Sequence, residues 1–105
     1  MTNLSIVLPT YNEKDNIIDL INKIKEVIQK YSYEIIVVDD NSPDATFEIC
    51  KEKFIKDENI KMILRRTNRG LANSIREGIE NAKGEYVVIM DTDFTHDPNL
   101  IKQML

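Results

Sequence analysis

Four short apolar runs, each separated from the next by a helix-length segment, constrain this chain more than any other feature. Leu4-Ser5-Ile6-Val7-Leu8, Glu34-Ile35-Ile36-Val37-Val38, Ile60-Lys61-Met62-Ile63-Leu64 and Tyr86-Val87-Val88-Ile89-Met90 are rich in β-branched residues and read as strands. Pro9 reads as a hard stop to the first. The last is unbroken and reads as a buried strand. Between the first two runs, Ile17, Ile18, Ile21, Ile24, Val27 and Ile28 recur at helical spacing, with Asn12 as cap and Glu13 and Asp15 in the positive first turn. A second helix is expected from about Asp44 to Ile55, burying Phe47, Ile49 or Cys50, and Phe54. A third is expected from Gly70 to about Lys83, closed by Gly84. Pro98 opens a last amphipathic stretch through Leu100, Ile101, Met104 and Leu105. Strand and helix in alternation predict an α/β fold, a parallel sheet with helices on its faces and right-handed crossovers. Neither a repeat nor a linker divides the chain. Leu105 falls inside an amphipathic stretch with no cap and no closing strand, so residues 1–105 read as the front part of a larger domain.

A chain of 105 residues can bury about 65% of its unfolded surface, enough for a core. The net charge of −4 argues against non-specific nucleic-acid binding, which depends on basic residues at phosphates. Cys50 is the only cysteine, which rules out an internal disulfide, a zinc framework or a CxxC pair, and its apolar setting predicts a buried, unreactive thiol. No apolar stretch approaches the roughly 20 residues of a membrane span, and the first strand starts too early to leave room for a signal peptide. A reduced, cytoplasmic setting is the expectation.

In a parallel α/β sheet every strand-to-helix loop emerges at one edge, where ligands bind. Here those loops are Pro9-Thr10-Tyr11-Asn12-Glu13, Asp39-Asp40-Asn41-Ser42, Arg65-Arg66-Thr67-Asn68-Arg69-Gly70 and Asp91-Thr92-Asp93. Acids follow three strands and arginines the fourth. Asp91 and Asp93 repel by about 4 kcal/mol as a close pair at an effective dielectric of about 20. A divalent cation removes that cost, and magnesium takes one or two carboxylates plus phosphates. Asp40 suits a base N–H and Tyr11 a stacking face, while Arg65, Arg66 or Arg69 suits a phosphate. No G-x-G-x-x-G and no Walker sequence is present, so a diphosphate bound through a metal is the remaining economical option.

These residues resemble the family 2 inverting glycosyltransferases, and within them the dolichol-phosphate (polyprenyl-phosphate) mannosyltransferase-like branch. The resemblance rests on Val7-Leu8-Pro9-Thr10-Tyr11-Asn12-Glu13, on Val37-Val38-Asp39-Asp40-Asn41-Ser42-Pro43-Asp44, and on Asn68-Arg69-Gly70-Leu71 with Gly78, Ala82 and Gly84. It ends on Met90-Asp91-Thr92-Asp93-Phe94-Thr95-His96 with Pro98. It spans essentially the whole chain. It implies a Rossmann-like half of the GT-A fold, with about four strands in the order 3-2-1-4 and helices on both faces. It implies that Pro9, Tyr11, Glu13, Val38 and Asp40 line a nucleoside pocket. Asp91 and Asp93 become the D-x-D pair for Mg²⁺ or Mn²⁺ and the diphosphate, with Thr92 against ribose or phosphate. The implied donor is GDP-mannose or a UDP-sugar and the implied acceptor a lipid phosphate, at the cytoplasmic membrane face. Ala72 and Ser74 depart from that branch, which usually carries glycine and alanine there. The catalytic base is expected beyond Leu105, and an apolar edge left open there predicts self-association.

Other readings attach to the same residues. The chain can be a nucleotide-binding module without catalysis. Asp91-Thr92-Asp93-Phe94-Thr95 also matches the D-x-D-x-T start of haloacid-dehalogenase-type phosphatases, with Asp91 as nucleophile, although that motif follows the first strand and precedes most of its domain. A receiver domain also carries an acid pair, but after its first strand. Bland roles compete at each position: a solvated turn for Asp91 and Asp93, a helix cap for Asp39 and Asp40, a helix N-terminus for Glu13, packing for Tyr11 and solvation for His96.

Overall fold

The structure, a computed structural model, describes residues 3–90. In chain order the elements are β1 (Leu4–Thr10), α1 (Ile17–Ile28), β2 (Tyr33–Asp39), α2 (Thr46–Lys53), β3 (Ile60–Leu64), α3 (Leu71–Asn81) and β4 (Tyr86–Ile89). The strands form one parallel sheet in the order β3-β2-β1-β4. This is the expected 3-2-1-4 order, and β1 and β4 are neighbours although two-thirds of the chain separates them.

The period-2 alternation of β1 and β2 divides the interior. Leu4, Ile6, Leu8, Ile35 and Val37 face α1, whose Ile17, Leu20, Ile21, Ile24, Val27 and Ile28 form one buried stripe, and this core also takes Cys50 and Phe54. Val7, Ile36 and Val38 face the other way, towards α3. Here Gly78 lets the helix sit directly on the sheet, because a Cβ at that position would lie 2.3 Å from Val7 Cγ1 and 3.3 Å from Val38 Cγ2. Helices therefore cover both faces, as expected.

Several local expectations are corrected. Pro9 does not stop β1, which pairs through Pro9↔Val38 and Thr10↔Asp39. Met90 N–H donates to Val7 O (3.0 Å), so Val7 and, by parity, Pro9 turn their backbone groups towards β4. The missing N–H of Pro9 thus lies past the last described rung of that ladder and costs β2 nothing. Asn12 does not cap α1. It takes φ 56° in the loop, and the helix starts later, at Ile17, from Asn16. The second helix is shorter than expected and buries Cys50, while Ile49 is exposed. Gly84 does not close α3, which ends at Ala82 in extended backbone. Its requirement is contact, since a Cβ there would lie 2.6 Å from Ser5 Oγ. β4 is not covered on both sides. Tyr86, Val87 and Ile89 are exposed and Val88 and Met90 are buried, so among the described residues β4 is a sheet edge covered on α1's face alone. An unbroken apolar run does not say which neighbours supply the cover.

At the amino edge of the sheet, Glu34 joins three strands. Its carboxylate accepts from Ser5 Oγ (2.5 Å) on β1, from Lys83 N–H (2.6 Å) after α3, and pairs with Lys61 Nζ (2.7 Å) on β3. Burial alone raises the pKa of this carboxyl. The hydrogen bonds and the Lys61 charge more than offset it and hold the group below its ordinary 4.5. The unfolded chain then takes up the proton first as pH falls. The stabilisation is complete above about pH 4.5 and disappears as pH drops through the lower folded value. Glu34→Gln is expected to lose about 1–3 kcal/mol at pH 7 and to flatten the acid limb of the stability curve, read by urea unfolding across pH.

Candidate functional site at the carboxyl edge of the sheet

The site is built on Asp39 and Asp40, whose side chains leave opposite faces of β2 because they are consecutive. Asp39 is fully buried. Its Oδ1 accepts from Thr10 Oγ1 (2.7 Å) and Ser42 Oγ (2.7 Å), its Oδ2 from Ser42 N–H (2.8 Å), and its backbone oxygen from Arg65 N–H (2.8 Å). One residue thus ties together the loops after β1, β2 and β3. Further bonds fasten the first two loops: Asn12 N–H to Ser42 Oγ (2.9 Å), Glu13 N–H to Thr46 Oγ1 (2.9 Å) and Lys14 N–H to Asp44 Oδ2 (3.2 Å). Asp44 also forms a side-chain turn just ahead of α2, accepting from Thr46 N–H (3.0 Å) and from its hydroxyl. Burial raises the Asp44 pKa, but these donors outweigh it and hold the carboxyl below its ordinary range. Ser42 and Asp44 belong to the Asn41-Ser42-Pro43-Asp44 run of turn formers visible in the sequence, whereas no sequence signal points to Thr46.

The loops carry backbone that most residues avoid. Asn12, Asn41 and Asn68 take φ between 51° and 59°, and Ala45 takes φ 70°. Asparagine tolerates this region. Alanine there costs about 1–2 kcal/mol, and Ala45 is held in it because its carbonyl accepts the first α2 bond, from Ile49 N–H (3.0 Å).

Asp40 turns to the α3 side. Its Oδ2 accepts from Gly70 N–H (2.9 Å) at the start of α3, where φ 128° requires glycine. Its backbone oxygen accepts from Arg69 Nε (2.9 Å), and Arg69 Nε lies 3.7 Å from Oδ1. Oδ1 itself is buried, with no hydrogen-bond partner among the described residues. The Arg69 guanidinium lies 5.3 Å from the centre of the exposed Tyr11 ring. Tyr11, Asp40, Arg69 and Gly70 thus form one corner. Ser74, on the first turn of α3, is buried, and its hydroxyl too has no partner among the described residues. Arg65 does not belong to this corner. It pairs with Glu77 and donates to the Asn68 carbonyl (2.8 Å), which holds the loop shape.

The remaining expected site residues fall into three places. Pro9 and Val38 are buried neighbours in the β1–β2 register, and Val38 packs in the α3-side core. Glu13 is half-buried beyond Tyr11, and its carboxylate accepts from Asn16 Nδ2 (3.4 Å). Asp91, Thr92 and Asp93, and with them the expected metal pair, lie outside the described residues, as does His96. Among the described residues no three His, Cys, Asp or Glu side chains converge as a metal site. Cys50 is buried, and burial, with a smaller push from Asp39, raises its pKa to about 12. The thiol is therefore unreactive, as expected. Among the described residues no helix is long and apolar enough to cross a membrane.

A parallel 3-2-1-4 half-sheet with polar loops gathered at its carboxyl edge is the architecture of the GT-A glycosyltransferases. A mannosyltransferase of Pyrobaculum calidifontis in complex with GDP-Man and Mn²⁺ superposes with a TM-score of 0.77 at 29% identity, covering 87% of this chain and 27% of that one. Residues 1–349 of S. aureus TarS, in complex with UDP-GlcNAc, superpose with a TM-score of 0.79 at 30% identity, covering 98% of this chain and 30% of that one. The sequence profile of glycosyl transferase family 2 matches residues 5–105, and the chain belongs to that family. A dolichol-phosphate mannosyltransferase of Pyrococcus furiosus is 38% identical over 102 residues, which is 97% of this chain and 29% of that enzyme. The chain thus spans less than a third of this relative's length.

Asp39→Asn keeps the size of the side chain but sets an amide against the Thr10 and Ser42 donors. It is expected to lose about 1–3 kcal/mol in urea unfolding. Ala45→Gly is expected to gain about 1 kcal/mol in the same measurement, by relieving the left-handed alanine.

Proposed function

We propose that this chain is the donor-binding part of an inverting glycosyltransferase, taking a nucleoside-diphosphate sugar, GDP-mannose or a UDP-sugar, for transfer to a polyprenyl or dolichyl phosphate at the cytoplasmic membrane face. The observation that carries the reading is Asp40: a carboxylate at the carboxyl edge of the sheet, with one oxygen fixed by Gly70 and the other without a hydrogen-bond partner among the described residues, beside the exposed ring of Tyr11. Asp40 Oδ1 accepts a ring N–H of the base, and Tyr11 supplies a stacking face. Pro9 and Val38 support the pocket from beneath, and Glu13 faces the same crevice.

Asp91 and Asp93 are hard oxygen donors of the kind that hold Mg²⁺ or Mn²⁺, with Thr92 against ribose or phosphate. When bound, such an ion offsets the charge of a departing diphosphate. The complex named for the P. calidifontis mannosyltransferase, GDP-Man with Mn²⁺, supports this assignment at 29% identity. A phosphate oxygen of the acceptor attacks the anomeric carbon from the face opposite the diphosphate, the bond from that carbon to the diphosphate oxygen breaks, and the diphosphate leaves with inversion.

Calorimetric titration of GDP and UDP, each with and without Mn²⁺, tests this reading. Mn²⁺ is expected to tighten binding, Asp40→Asn to weaken it about tenfold with or without the ion, and Asp91→Asn to abolish the Mn²⁺ effect. Mn²⁺-dependent affinity that survives Asp91→Asn would overturn the ion assignment.

A further inference from the structure

In this structure the corner assigned to the nucleobase is filled by the protein's own arginine. The Arg69 guanidinium is planar, carries N–H donors in its plane, and lies over the Tyr11 ring at 5.3 Å. Its Nε donates to the Asp40 backbone oxygen (2.9 Å) and faces Asp40 Oδ1 at 3.7 Å. A base stacked on the same face of Tyr11, with a ring N–H turned to Asp40, would make the same two kinds of contact. Asp40 Oδ1 shows that the substitution is imperfect, because it is buried yet accepts no hydrogen bond from any described residue.

We propose that Arg69 is a built-in plug of the nucleoside pocket, a stand-in ligand that a nucleobase must displace to reach Tyr11 and Asp40. The proposal rests on the nucleoside reading of those two residues. The plug is built to move. Arg69 belongs to an exposed loop, its side chain is 44% exposed, and among the described residues its contacts are one cation–π stack, one hydrogen bond and a long ion pair. Exposed pairs of this kind are weak and screened by salt. The loop shape does not depend on it, because Arg65 holds the Asn68 carbonyl and Gly70 N–H holds Asp40 Oδ2. What Arg69 adds is competition. It excludes stray planar groups from an otherwise open tyrosine face and keeps the Asp40 carboxylate compensated until a base with a matching N–H arrives.

The plug makes a prediction opposite in sign to that of an arginine that grips ligand. The probes are uridine and guanosine, which carry no phosphate, so that loss of a positive charge does not itself weaken binding. With the full 105-residue chain, Arg69→Ala is expected to bind both nucleosides about fivefold more tightly than wild type. Arg69→Met, which keeps the aliphatic stem but no N–H, is expected to do the same, and thermal unfolding checks that both variants fold. Raising salt is expected to tighten nucleoside binding to wild type and leave Arg69→Ala unmoved. Equal or weaker binding by both folded variants, with wild type still binding, overturns the plug and leaves the nucleoside reading standing. Absence of nucleoside and nucleotide binding in every form overturns both.

Discussion

The buried Asp39 carboxylate is the interaction on which the rest of the site depends. Its side chain gathers Thr10 from the end of β1 and Ser42 from the loop after β2, and its backbone holds the first residue after β3. A buried charge is tolerated only when donors surround it. Here those donors come from separate segments, so compensating the charge and assembling the loops are one event. The polar edge of the sheet is therefore fixed by the same requirement that keeps the core dry.

The two faces of the sheet divide the work. The α1 face holds most of the aliphatic core and ends, at the carboxyl edge, in Asp39. The α3 face is thinner and depends on the close approach at Gly78, and it ends in Asp40 and the start of α3. At the amino edge Glu34 closes the α3-to-β4 connection against β1. β4 is thereby placed beside β1 at the switch point, the position from which residues after Met90 continue.

Much of this was readable in the residues. The β-branched runs, the isoleucine stripe of α1 and the alternation of strand and helix are local periodicities, and the sheet adopts them. The family resemblance supplied the strand order, which local pattern does not encode. Where the reading failed, the deciding partner was distant in sequence. Gly84 looks like a helix cap until Ser5 lies against it. Pro9 looks like a stop until its missing N–H proves to face the β4 side and not β2, with which it stays in register. Arg65 and Arg69 look alike in the loop, yet Glu77 claims one and Tyr11 with Asp40 the other.

The sequence by itself determined the class of fold, the loops that meet at one edge and the residue types available there, because strand parity, helix period and turn chemistry are properties of neighbouring residues. The sequence assigns Asp40 and not Asp39 to the nucleoside, but only the tertiary structure shows what physically divides them. Both follow the same strand and both are acids. One is enclosed by hydroxyls and a backbone N–H and serves the fold, while the other keeps a buried oxygen with no hydrogen-bond partner among the described residues, 3.7 Å from Arg69 Nε. That difference comes from which face of the sheet each side chain leaves and what the chain packs there, and no single stretch of sequence contains it.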